Sequence, residues 1–198
     1  KIRARMIISY LIVAALLVIS GVVSVSVINK VSKSMESFYE NQFHTIENAW
    51  SARRSVYACR SAVLQAMMVG DASATMAEID TAKSEFQTIK ESIASVKQTF
   101  QGDMTLLTNC DTLLNQAETY LNQVSELAAA GQDEEAYRIV TESYKPLMDQ
   151  VRANLSKASD VADATALAKM EESKKLASIS QLIVFAMIVV SVIISIVL

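Results

Sequence analysis

The sequence predicts an all-α protein: an antiparallel up-down-up-down four-helix bundle flanked by two transmembrane helices. Three observations predict it. The 198 residues include only four Gly and one Pro, where an average chain of this length carries about 14 and 10. So few turn-formers cannot serve the many tight turns of a sandwich or barrel. Two charge-free apolar runs of 23 residues, Met6 to Ile28 and Leu176 to Leu198, stand at the two ends. Between them the chain breaks at only three short Gly/Asp sites.

Each apolar run matches the roughly 20 residues that an α-helix needs to cross the hydrocarbon core. A helix is the form expected there, because backbone groups in lipid must be satisfied within the segment. All 21 acidic residues and 15 of the 18 Lys and Arg lie between Lys30 and Lys175. Lys1, Arg3 and Arg5 precede the first run. By the positive-inside rule they hold the N-terminus in the cytoplasm. The expected organisation is therefore a cytoplasmic N-terminus at 1–5, a membrane helix at 6–29, an extracytoplasmic domain at 30–175 and a second membrane helix at 176–198. The location is a multi-pass protein of the inner or plasma membrane, in contact with membrane lipid. A cleavable signal peptide ending near Ser24-Val25-Ser26 is the alternative for the first run. Its apolar core is longer than the roughly 7–15 residues such peptides use. The chain stops where the second run stops, and a cytoplasmic part is expected to follow.

In the middle region Gly70-Asp71, Gly102-Asp103 and Gly131-Gln132-Asp133 each place a helix-closing Gly before a helix-capping Asp. Thr75-x-x-Glu78 is a competing capping box. These breaks define segments 30–69, 72–101, 103–130 and 133–175. The outer pair is about 60 Å long and the inner pair about 45 Å at 1.5 Å per residue. That relation suits outer helices that continue the membrane spans and an inner hairpin that stops short of the bilayer. The second segment carries a seam of Ile79, Ala82, Phe86, Ile89, Ile93, Val96 and Phe100. The third carries Leu106, Cys110, Leu113, Ala117, Tyr120, Val124 and Leu127. Steps of three and four let such side chains interdigitate at a shallow crossing angle. Pro146 falls inside the fourth segment. Its missing N–H predicts a kink near Tyr144-Lys145, or a short separate helix before it.

Enzymatic chemistry has no foothold. No dinucleotide, P-loop, nucleophile-elbow or zincin motif occurs. One His and two Cys give no metal set. No catalytic residue, metal or cofactor is expected, and the pI near 5.3 argues against nucleic acid. Cys59 and Cys110 sit about 15 Å apart in height by helix register, too far for a disulfide, which predicts two free buried thiols. His44 reads as a surface or packing residue.

The first segment is the unusual one. Ala49, Ala52, Val56, Cys59 and Val63 form a core stripe. Tyr39, Phe43, Ile46, Trp50, Arg53, Tyr57, Arg60 and Leu64 form a second one. A bundle core needs only one. Arg grips carboxylates in bidentate fashion, and Trp and Tyr supply stacking area. Trp50, Arg53, Arg54, Tyr57 and Arg60 are therefore the candidate ligand-binding or dimer-contact residues. Thr141 and Tyr144, near the same height on the fourth segment, join them. The competing reading has these arginines pairing at the surface with Glu47, Glu142 or Asp149.

The stretches KIRARMIISYLIVAALLVISGVVSVSVINKVSKSM and AAAGQDEEAYRIVTESYKPLMDQV, with the order of parts around them, resemble the sensory half of bacterial methyl-accepting chemotaxis proteins. The middle resembles their four-helix-bundle ligand-binding domain. The resemblance implies a chemoreceptor that works as a homodimer with the first helix packed against its twin. It implies a small-molecule ligand, a carboxylate where helix 1 arginines hold it, with Arg53, Arg54 and Arg60 at a comparable height. A shift of the fourth helix and the second membrane helix would carry the signal. A HAMP linker and a signalling hairpin would follow Leu198 and engage cytoplasmic chemotaxis proteins. Sensor histidine kinases and cyclases share this module. A membrane-anchored helical scaffold that binds a partner protein is the reading from a different class.

Overall fold

The structure is a computed structural model that describes residues 2–197. Lys1, the first of the N-terminal basic residues, lies outside the described residues, as do the side chains of Arg3 and Arg5. Among the described residues every regular element is helical. α1 (Ile2–Ser37) passes through a π-helical turn (Phe38–Phe43) into α2 (His44–Ala66). α3 (Ala72–Thr99) and α4 (Thr105–Ala129) follow. α5 (Asp133–Ile139) passes through a second π turn (Val140–Tyr144) into α6 (Lys145–Val197).

The chain divides into two compact units. One is Tyr39–Thr165, and the other holds the residues before Tyr39 and after Thr165. The first unit is an antiparallel four-helix bundle. Its core is a continuous cluster drawn from all four rods, including Ala49, Ala52, Val56, Cys59, Phe86, Ile89, Ile93, Leu107, Cys110, Leu114, Tyr144, Met148, Val151 and Leu155. The stripe expected on α2 and the whole seam expected on α3 are buried. On α4 the buried line is Leu107, Cys110, Leu114, Ala117, Leu121, Val124 and Ala128, while Leu106, Leu113, Tyr120 and Leu127 only flank it. Each pair of neighbours along this amphipathic face is apolar, so a seven-residue count alone does not choose between them. Packing into the shared core does.

The breaks follow local chemistry. Gly70 and Gly131 take φ of 52° and 69°, the left-handed conformation that L-residues with a Cβ avoid. Asp71 caps α3, its carboxylate accepting from the Ala74 N–H at 2.9 Å, and the Thr75 capping box is not used. Gly102 serves another purpose. A Cβ there would come within 2.5 Å of the Phe100 ring and 2.8 Å of Val161, so glycine lets the loop between α3 and α4 lie flat on α6. Asp133 lies inside the first turn of α5 and makes no side-chain cap. Across the α3–α4 hairpin Lys90 pairs with Glu118 at 2.7 Å, and Lys97 pairs with Asp111.

Pro146 explains the second π turn. It has no N–H, and its ring crowds the carbonyl four residues back. The chain widens by one residue ahead of it, and the Lys145 N–H reaches Val140 C=O. The disturbance expected at Tyr144-Lys145 is thus a π turn within a continuing helical path.

In the second unit, two helices are long and apolar enough to cross a membrane. Their apolar side chains point outward on all sides, among them Ile7, Leu11, Leu17, Leu182, Phe185 and Ile196. Val13, Leu16, Leu17 and Ser20 of α1 face Met187, Ile188, Ser191 and Val192 of α6 across an apolar groove. Nearer the middle of the chain the contact turns polar. Ser34 meets Ser173 at 3.1 Å, and Lys169 donates to Ser37 at 2.9 Å.

Candidate functional site

Trp50, Arg53, Arg54 and Tyr57 follow the i, i+3, i+4, i+7 spacing that puts side chains on one helix face. In α2 they line a single open groove of about 450 Å³ together with Ser51. Trp50 and Tyr57 are 60% and 52% exposed, a large apolar area to leave in water beside an otherwise polar surface. The Arg53 guanidinium lies over the Trp50 ring at 4.8 Å, a cation–π arrangement that fixes both groups. Its Nε is buried and makes no hydrogen bond among the described residues. The helix therefore presents two flat aromatic surfaces with cationic donors between them.

Arg60 sits one turn further on, beside a charge cluster that links α2 to α6. Asp149 receives Lys145 at 2.7 Å and Arg152 at 3.9 Å. The hydrogen bond from Lys145 holds its carboxyl below the usual carboxylate range, and the nearby charges of Lys145, Arg152 and Arg60 add to this. Arg152 also donates to the Tyr57 hydroxyl and lies over its ring at 5.3 Å. The expected level match between α2 and the fourth rod thus appears as Arg60 near Asp149 and Tyr57 against Arg152. Asp149 is paired with Lys145 and Arg152, with Arg60 only a nearby charge, so among the described residues the competing reading's ion pairs of Arg53, Arg54 and Arg60 with Glu47, Glu142 or Asp149 do not form.

Thr141 and Tyr144 are not part of this groove. Thr141 donates back to the Tyr137 carbonyl at 2.9 Å. It lines a separate acidic depression with Asp133, Glu134, Glu135 and Glu142. There Arg138 is held by Glu135 at 2.5 Å and Glu142 at 3.1 Å, which raises its pKa still further above its ordinary value. Tyr144 is 0% exposed. Its hydroxyl lies 3.0 Å from Cys59 Sγ, and Cys59 donates to Ala82 C=O at 3.1 Å. The π turn points this residue into the core, where it ties three helices together. Burial pushes the Tyr144 hydroxyl well above its ordinary pKa, and burial pushes the Cys59 and Cys110 thiols up to about 11. Both cysteines are free and buried.

Among the buried polar residues that escaped the sequence reading, two extend the core stripe of α2. Gln42 and Thr45 are 3% and 1% exposed. They continue the phase of Ala49, Ala52, Val56 and Cys59, and that spacing was the available signal. Their polarity hid it. His44 lies at the surface, 3.2 Å from Glu47 and edge-on to Tyr39 and Phe43. Among the described residues no group of His, Cys, Asp and Glu is placed to hold a metal ion.

No curated protein and no solved structure matches the chain. Residues 1–177 match the family described as a four-helix-bundle sensory module for signal transduction. The match spans the first apolar helix and the whole bundle, and the helical architecture and apolar ends agree with it; the chain belongs to this family of sensory modules.

Proposed function

We propose that the chain is the sensor region of a transmembrane chemoreceptor, with its bundle on the extracytoplasmic side and its two apolar helices in the membrane. The Trp50–Arg53–Arg54–Tyr57 face carries this reading. It brings two exposed aromatic rings and two arginines onto one helix face, and its Arg53 Nε lacks a partner among the described residues. A buried donor without an acceptor costs about 1–3 kcal/mol, and a carboxylate ligand would supply the acceptor. A second copy of the chain packed on the same face would enclose the groove and make the site a property of the homodimer. Ligand binding would then favour one of two positions of the fourth rod, and α6 would carry the change toward a cytoplasmic output. Family membership supports a signalling module and leaves a receptor, kinase or cyclase output equally compatible with it.

The test is thermal unfolding of the full chain in lipid nanodiscs with a panel of amino acids, organic acids and amines. A cognate carboxylate at 100 times its Kd stabilises by about 2.7 kcal/mol, and Arg53→Ala abolishes that gain. A panel with no stabilising carboxylate, together with a partner protein recovered by crosslinking, would replace the receptor with a helical scaffold.

A further inference from the structure

Charge is sorted along the unit formed by the two chain ends. One apolar run ends at Ile28 on α1, and the other begins at Leu176 on α6. Lys30 and Lys33 follow the first, and Lys174 and Lys175 precede the second. Each lysine lies within five residues of its run, about 8 Å along the helix. Ser34 meets Ser173 at 3.1 Å, so Lys33 is level with Lys174. The four lysines therefore share one belt about a helical turn high. Residues 29–33 and 174–175 include no carboxylate. Glu36, Glu171 and Glu172 stand further from the apolar runs.

The belt is also unpaired. All four lysines are exposed, and none makes an ion pair among the described residues. Partners at helical spacing are present. Glu36 is three residues from Lys33, and Glu171 is three and four residues from Lys174 and Lys175. The chain does use such spacings in the bundle, where Lys145 holds Asp149 and Arg138 holds Glu142. Ammonium groups gathered without counter-charge repel one another, so the belt favours an anion from outside. Its position says which anion is at hand. The headgroup layer begins where the hydrocarbon ends and is about 5–8 Å deep, which is the height of the belt. Flexible lysine stems can lie along the helix and place their ammonium groups there.

We propose that Lys30, Lys33, Lys174 and Lys175 form a binding site for the phosphates of anionic phospholipids in the leaflet on the bundle's side. A zwitterionic headgroup answers its phosphate with its own amine, whereas an anionic one needs an outside cation. Bound lipids of this kind fix the depth at which α1 and α6 leave the bilayer. The site rests on the reading that the two apolar helices lie in the membrane. It does not depend on the Trp50 groove, its ligand or the output.

The test places the full chain in phosphatidylcholine vesicles with a trace of spin-labelled phosphatidylglycerol or spin-labelled phosphatidylcholine. Electron spin resonance reads the fraction of each label held at the protein surface. The native chain should hold phosphatidylglycerol about three-fold more strongly than phosphatidylcholine. Lys30→Gln, Lys33→Gln, Lys174→Gln and Lys175→Gln together should bring that ratio to about one. Lys30→Arg, Lys33→Arg, Lys174→Arg and Lys175→Arg together should keep it. Inorganic phosphate and chloride at equal ionic strength should lower it alike. A native chain without preference overturns the proposal. So does a preference that survives the four Gln changes, which would belong to Lys1, Arg3 and Arg5 at the other end of α1. Phosphate lowering the ratio far more than chloride would make this a site for the free ion and overturn the lipid assignment. If neither label is held at all, the apolar helices are outside the bilayer, and the membrane reading falls together with the site.

Discussion

At the scale of single residues, Cys59 and Tyr144 show how a small polar contact is kept inside an apolar core. The thiol has the Ala82 carbonyl as acceptor, and the Tyr144 hydroxyl then has the sulfur. The two partners are not equivalent. Tyr144→Phe removes a hydroxyl and leaves the thiol bonded to Ala82, so it should cost about 1 kcal/mol in thermal unfolding. Cys59→Ala strands the hydroxyl of a fully buried tyrosine and opens a small void, which should cost about 2–4 kcal/mol. A reversed order would mean that the hydroxyl finds another acceptor in the core. The same burial gives a pH dependence. Both thiols have an ordinary value of 9.0 and are pushed to about 11. Below pH 9 they are protonated whether the chain is folded or not. Between pH 9 and 11 the unfolded chain loses those protons and the folded one keeps them, so stability falls as pH rises through this window. Unfolding curves at pH 8 and pH 10.5 should show the fall in the native chain. It should shrink in Cys110→Ala relative to that variant's own stability at pH 8.

At the scale of elements, the π turn before Pro146 is a consequence of one missing N–H. Pro146→Ala restores the donor and removes the clash. Hydrogen exchange across residues 140–147 should slow several-fold as the turn tightens. Unchanged exchange would mean that the Tyr144 anchor, and not the proline, keeps the turn open. Much of the helix layout was legible because its signals are local. A glycine that must take positive φ and an aspartate that can cap announce a break wherever they occur, as at Gly70-Asp71. The seam of α3 was legible because polar residues flank it on both sides. The seam of α4 was half legible, since Leu106-Leu107 and Leu113-Leu114 are equal neighbours that only tertiary packing separates. The π turn at Phe38–Phe43 was not legible, because nothing in FYENQF, neither proline nor glycine, marks it. The same limit applies to the candidate site. The four groove residues share one helix face and could be grouped by spacing alone. Thr141 and Tyr144 were placed by height, which says nothing about the side of the rod a residue faces.

At the scale of the whole molecule, the distribution of exposed apolar groups asks for an explanation. Tyr39, Phe43, Trp50 and Tyr57 are all exposed along one line of the first rod, while among large apolar residues α3 exposes only Met76 and α4 none, with Met104 exposed just before α4. Scattered exposed apolar residues are normal, but a contiguous stripe of four aromatics marks a contact surface. A two-fold dimer uses the same patch on both copies, so residues near its axis meet their own counterparts. Cysteine scanning reads this out directly. Trp50→Cys, Arg53→Cys, Tyr57→Cys and Arg60→Cys, in a Cys59→Ala, Cys110→Ala background, should differ sharply in oxidative crosslinking within membranes. Positions 50 and 57 lie one heptad apart on the exposed line and should crosslink most. Position 60 leans toward Asp149 on α6 and should crosslink least. Equal weak bonding at all four positions would place the stripe against lipid or solvent. The Trp50 groove would then have to bind its ligand without a second copy to close it.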